Sequence, residues 1–151
     1  MTGSRVVVVD YKSNWLDQFV ALRDKISPAV KDFSFRIEHV GSTAVPGLAA
    51  KPIIDIDLIV NLSDLKRAIE SITDSGYVNL GTLGIPDRYA MKCRNVTIPH
   101  HLYICPDTSE ALRNHLSIRD FLRDNPDTAR EYGQLKKTLA QKYPNDIDAY
   151  V

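Results

Sequence analysis

Apolar residues Trp15, Phe19, Leu22, Ile26 and Val30 recur at steps of three and four, so they share one stripe of an amphipathic helix that Ser13 is placed to cap. The period then shortens to two. Phe35-Arg36-Ile37-Glu38-His39-Val40 alternates apolar and polar, as a strand does, and stops at Gly41-Ser42. Pro46, Gly47 and Pro52 break the stretch from Thr43 to Pro52 into a structured loop with room for one helical turn. Ile53 to Val60 reads IIDIDLIV, the nearly continuous β-branched run of a central strand covered on both faces.

A second helix opens at Asn61 or Ser63, carries Leu65, Ala68, Ile69 and Ile72 on one side, and stops at Gly76. Short strands follow at Tyr77 to Leu80, Tyr89 to Arg94 and Ile98 to Cys105, expected to extend the sheet in antiparallel fashion. Asp107 and Glu110 have capping-box spacing for a third helix with Leu112, Leu116, Phe121 and Leu122 on its stripe. Asn125-Pro126 restarts the chain as a fourth helix, whose apolar positions are Ala129, Tyr132, Leu135, Leu139 and Tyr143 and whose stop is Pro144. Helix, strand, strand, helix, three short strands and two helices predict an α+β domain, a mixed sheet flanked by about four helices.

Length and charge narrow the function classes. With 151 residues the chain matches one domain over residues 1–151, long enough to bury about 68–70% of its unfolded surface. Nineteen basic against 19 acidic residues leave no net charge, which argues against a protein that coats nucleic acid through its phosphates. The run Val6 to Val9 ends at Asp10 and is too short for a signal segment or a membrane span, so a cytoplasmic protein is expected. Cys93 and Cys105 form no CxxC pair and sit in strand-like stretches, as reduced core thiols do.

The candidate chemistry begins at Asp55 and Asp57. Two residues apart in a strand, they point to the same face about 6.6 Å from each other, while Ile54, Ile56, Leu58 and Val60 face the core. Aspartate is rare in buried strands unless paired or bound to metal, and one or two carboxylates with water and substrate phosphate are the usual seat of Mg²⁺. The plainer alternative is a solvated strand end, with the acids paired to Lys51, Arg36 or Arg88. Gly41-Ser42-Thr43, directly after a strand, lets backbone N–H groups and hydroxyls approach a phosphate. Asp55 follows Gly41 by 14 positions, so if the two strands are neighbours, loop and carboxylates meet at one end of the sheet. Lys51 and Arg88 are further candidates for phosphate. His39 is expected to fix the loop by a hydrogen bond, and Arg119, Asp120 and Arg123 to tie helix to sheet.

A strand ending in Gly-Ser, a short connection and a strand carrying Asp-x-Asp resembles the nucleotidyltransferase superfamily. The run from Ile37 to Ile56, IEHVGSTAVPGLAAKPIIDI, resembles more closely the signature of the GrpB family, and the likeness continues through Tyr11, Trp15, His100-His101-Leu102, Arg119-Asp120, Leu122-Arg123, Tyr132 and Leu135-Lys136. The resemblance implies a nucleotidyltransferase-like fold. It places nucleotide phosphate at the Gly41-Ser42-Thr43 turn, beside the further candidates Lys51 and Arg88, and catalytic metal, Mg²⁺ or Mn²⁺, on Asp55 and Asp57. Active members add a third acid from a later strand; here Pro99 to Cys105 offers His100 and His101 instead. With His101 turned to the aspartates, the set would suit Mn²⁺, Fe²⁺ or Zn²⁺ better than Mg²⁺. Relatives usually run beyond Tyr150-Val151, so a short closing helix is expected. The implied ligand is a nucleotide or similar small molecule. Fusions to dephospho-CoA kinase imply a protein partner linked to coenzyme A metabolism, and the competing reading is a non-catalytic regulatory or folding module.

Overall fold

The computed structural model describes residues 7–143; Val6, Pro144 and Tyr150-Val151 lie outside them. Among the described residues, five strands form one sheet in the order β1-β2-β5-β4-β3. Strands β1 (Phe35–Val40) and β2 (Ile54–Val60) pair antiparallel, and β2 pairs in parallel with β5 (His100–Pro106). Strands β4 (Tyr89–Cys93) and β3 (Tyr77–Asn79) then extend the sheet antiparallel from β5. The late strands are therefore not a purely antiparallel addition, because β5 crosses over to join β2 and brings its histidines beside the aspartates.

One sheet face carries the main core. The predicted stripe of helix α1 (Asn14–Ile26) packs with Ala68 and Ile72 of α2 (Leu65–Asp74) onto Ile54, Ile56, Leu58, Leu102 and Ile104, all five of which are completely buried. Burying side chains of this size contributes roughly 1.5–3 kcal/mol each. On the other face, Leu112 of α3 (Glu110–Asp124) closes over Ile59 and Cys105. That cover lies at the Val60 end of β2. The Asp55 end of the same face stays open, and there the site forms.

Helix α4 (Pro126–Lys142) turns a face other than the expected one inward. Ala129, Gly133, Lys136 and Ala140 are buried, whereas Tyr132 and Leu135 are exposed. The reason is close approach. A Cβ on Gly133 would stand 3.3 Å from the Ala49 backbone nitrogen, so the helix lies too near the loop for large side chains on that face. In α3, likewise, Leu122 is buried and Phe121 is exposed, and Leu122 and Ala129 pack with Val45 and Leu48 to form a small second core under the loop after β1.

The caps also differ from expectation. Ser13 makes no side-chain cap, and a 3₁₀ turn, Leu62–Asp64, leads into α2 without a side-chain cap from Asn61. The third helix is capped by buried Ser109, whose Oγ accepts from the Leu112 N–H at 3.2 Å, in place of the expected Asp107–Glu110 box. Asn125 donates its side-chain amide to the Phe121 carbonyl at 2.7 Å, closing α3 and leaving the start of α4 without a side-chain cap. Ser109→Ala is expected to cost about 1 kcal/mol. A thermal melt should then shift down by about 2–4 °C.

Candidate functional site

The ladder between β1 and β2 sets Val40 opposite Asp55, so the chain leaves β1 directly beside the carboxylate. Gly41 takes φ +74°, a left-handed conformation that favours glycine, and a Cβ there would collide with the Asp55 carboxylate. The chain then winds a single 3₁₀ turn, Ser42–Ala44. Its position is fixed from several sides. His39 Nε2 shares a hydrogen bond with Thr43 Oγ1 at 2.9 Å, its ring stacked on Phe19 with centroids 4.7 Å apart. Burial, helped by the nearby Arg123 guanidinium, pulls this imidazole down to about 4, so it is neutral and structural. Arg119 donates to Glu38 Oε1 at 2.7 Å and to the His39 carbonyl, and Arg123 donates to the Ala44 carbonyl at 2.9 Å. These contacts tie α3 to the sheet as expected, with Glu38 paired to Arg119.

The turn forms one wall of a cleft of about 210 Å³, which Lys51, Asp55, His101, Tyr103, His115 and Lys136 also line. Lys136 reaches in from the buried face of α4 and donates from Nζ to Ser42 Oγ at 2.5 Å. Burial, reinforced by the neighbouring Lys51 charge, lowers its ammonium from the ordinary lysine range to about 8, so the group still carries its charge at neutral pH.

Each aspartate is held by a histidine. His101, in register with Asp55, bonds Asp55 Oδ1 through Nδ1 at 3.0 Å, which places this imidazole at the aspartates as the sequence reading allowed. His100 points to the other face and bonds the Tyr77 hydroxyl at 2.7 Å. Asp57 is only 1% exposed, and its Oδ2 pairs with His115 Nδ1 of α3 at 2.8 Å; that bond, against burial, raises the His115 pKa above the ordinary histidine value. Tyr103 stands between the two imidazoles, with ring centroids 6.3 Å and 6.1 Å from them. Arg88 lies over the Tyr103 ring, 4.2 Å from its centroid, and so is placed as a stacking cation beside the cleft rather than on its lining.

Among the described residues, Asp57 Oδ1 and Arg88 Nε are buried with no hydrogen-bond partner. Among the described residues, no group of three or more His, Cys, Asp or Glu side chains is arranged to hold a metal ion. A hard cation needs fewer, because one or two carboxylates suffice when water and ligand phosphate complete the shell. The unpartnered oxygen of Asp57 and the half-exposed Asp55 fit that kind of site.

His115 and Lys136 carry no role in the sequence reading. The signal for Lys136 was the run Ala129, Gly133, Lys136, Ala140, spaced four, three and four, a second helical stripe of small residues with one cation. His115 has a similar signal, because Leu112, His115, Arg119 and Leu122 follow at steps of three, four and three on the inward face of their helix.

The family model described as GrpB protein matches residues 5–151. The chain is 31% identical over 148 residues to the UPF0157 protein YqkA of Bacillus subtilis, covering 97% of this chain but 43% of that protein. It is 26% identical over 163 residues to a dephospho-CoA kinase of Mycolicibacterium paratuberculosis, covering 91% of this chain and 40% of the kinase. Among solved structures, conserved protein GrpB from Enterococcus faecalis superposes with a TM-score of 0.85 at 35% identity, over 96% of this chain and 89% of that one. A cytoplasmic RNA terminal U-transferase aligns at a TM-score of 0.60 and 19% identity, over 88% of this chain and 42% of that one, a likeness of nucleotidyltransferase fold. The family model reaches across nearly the whole sequence, and its signature run is the one that builds the turn and the aspartate strand: the chain belongs to the GrpB family.

Proposed function

We propose that the cleft binds the phosphates of a nucleotide together with a divalent cation, Mg²⁺ or Mn²⁺, as a metal-dependent nucleotidyltransferase site does. The observation that carries this reading is the Lys136 ammonium bonded to Ser42 Oγ on a turn whose Gly41 lies against the Asp55 carboxylate. Cation and hydroxyl meet there, with acid beside them. Ser42, Thr43, Lys51 and Lys136 would hold phosphate oxygens, and Asp55 with the buried, unpartnered Oδ1 of Asp57 would hold the cation. The cation's chemistry is to neutralise charge developing on the phosphoryl group. His115 and His101 hold the carboxylates in orientation, and Tyr103, with Arg88 stacked on its ring, forms part of the wall. If transfer occurs, an acceptor hydroxyl or amine bonds the α-phosphorus, the bond to the pyrophosphate oxygen breaks with its electron pair, and the acceptor's proton passes to water.

A second reading, a binding or regulatory module without transfer, is favoured by His101. The later strand, from which an active nucleotidyltransferase would supply a third acid, sets His101 in register with Asp55 instead. The dephospho-CoA kinase likeness gives that reading a candidate setting, and two free thiols suit the reducing cytoplasm for either. Among the described residues, no helix is long and apolar enough to cross a membrane.

Calorimetric titration of the four ribonucleoside triphosphates with Mg²⁺ and with Mn²⁺ tests the site. At least one nucleotide should bind saturably, with an affinity that falls about hundredfold in the Asp55→Asn, Asp57→Asn double variant. Pyrophosphate release that disappears in that variant marks an enzyme; binding without release marks the module. No heat and no thermal shift with any nucleotide and either metal sinks the nucleotide reading.

A further inference from the structure

A second cavity, of about 450 Å³, opens on the half of the sheet face that α3 and α4 leave uncovered. It differs in kind from the cleft. Leu80, Leu83 and Val96 line it, with Ala90 and Lys92 on the same sheet face as Tyr103, while Met91 of the same strand points into the main core. The two spaces share Ile53, His101 and Tyr103 as a common wall, so a molecule in one touches the boundary of the other. The cleft, at about 210 Å³, is smaller than an ordinary small-molecule pocket of about 300–1,000 Å³ and suits phosphate groups, while the apolar cavity falls within that range.

The rim supplies an independent observation. Leu80, Leu83 and Val96 are 46%, 64% and 55% exposed, a cluster of apolar surface gathered around one concavity. Leu83 also takes φ +51°, a conformation unfavourable for a leucine, in a loop that Gly81 and Gly84 turn with positive φ on either side. Strain of this kind concentrates where a loop clamps a ligand.

We propose that this cavity binds the apolar body, alkyl or aryl, of a small molecule whose hydroxyl or amino end lies at His101, and that this molecule is the acceptor for chemistry in the cleft. The acceptor role rests on the nucleotide reading above; the binding of an apolar body does not. A single small ligand fits a bounded concavity of this size, and its polar end would reach His101, whose Nδ1 bonds Asp55.

Methyl-labelled protein titrated with 4-propylphenol, an apolar body with one hydroxyl, tests the site, with a magnesium nucleotide titrated separately. The Leu80, Leu83 and Val96 methyl signals should move saturably with a Kd of about millimolar, as expected for a ligand of this size. Leu135, exposed on α4, should stay still. Leu83→Asn tolerates the left-handed backbone and Val96→Thr keeps its shape, so the pair should fold normally and weaken binding about tenfold. Shifts that fall on Leu135 and its surroundings, or no saturable shift in the cavity methyls, overturn the proposal even when the nucleotide moves Gly41 and Ser42. Cavity shifts without any nucleotide binding overturn the acceptor role and leave an apolar ligand site.

Discussion

Replacing Gly41 by alanine is expected to abolish nucleotide binding and to destabilise the fold at the same time. At φ +74° a side chain costs about 1–2 kcal/mol through the backbone alone. The new methyl would also collide with the carboxylate of Asp55, whose own Cβ would be only 3.1 Å away. Either the aspartate leaves its bond to His101, or the turn carrying Ser42 moves off Lys136. In both cases the cation-holding acid and the phosphate-holding turn no longer meet. The melting temperature should fall by about 2–8 °C, and calorimetry should show nucleotide affinity reduced by about hundredfold or more. Gly47→Ala is the matching control, because Gly47 shares the positive φ (+83°) but a Cβ there meets nothing within 4 Å. It should lose stability and keep binding. Nucleotide affinity in Gly41→Ala equal to wild type would show that the turn and Asp55 do not form one site.

The features legible in the sequence are those that depend on local period. Ile54, Ile56, Leu58 and Val60 alternate with two acids, and a two-residue period forces the apolar set to one face and Asp55 and Asp57 to the other. The Gly-Ser turn was legible because glycine there needs a left-handed backbone. What the period does not specify is which of two stripes a helix buries. On α4 the larger stripe, Tyr132 and Leu135, faces outward because the Ala49 backbone nitrogen and the Leu48 side chain stand only 3.3 Å and 3.4 Å from where a Cβ on Gly133 would be. That closeness is a property of the assembled fold, and it is what delivers Lys136 to Ser42. The pairing of His115 was hidden for the same reason: Asp57 found its partner 58 residues away on a helix whose docking no local pattern records. The alternative partners Lys51, Arg36 and Arg88 are charges close in sequence or topology, and neither imidazole bonded to the aspartates was among them.

Lys136→Met is expected to make the protein more stable and less able to bind. The side chains are similar in length, and methionine adapts to a packed face, so the helix should keep its position. The lysine is costly where it stands: it is 7% exposed, and burial lowers its ammonium from 10.5 to about 8. A depressed lysine pKa means that the folded state binds fewer protons than the unfolded chain between about pH 8 and 10.5. The penalty is therefore fully present below pH 8 and fades as the pH rises through that window. Set against the bond lost by Ser42, the substitution should yield a net gain of about 1–2 kcal/mol at pH 7. Urea unfolding should show that advantage at pH 7 and a smaller one at pH 9.5, because the wild type gains stability as Lys136 loses its proton. Calorimetry at pH 7 should show nucleotide affinity about 10–100-fold weaker, since a charge-assisted bond to phosphate has been removed. A variant that is less stable at pH 7, or that binds nucleotide as well as wild type, would mean that Lys136 is a structural strut. Greater stability with lost binding would mean instead that a charge is kept at a conformational cost because phosphate needs it there.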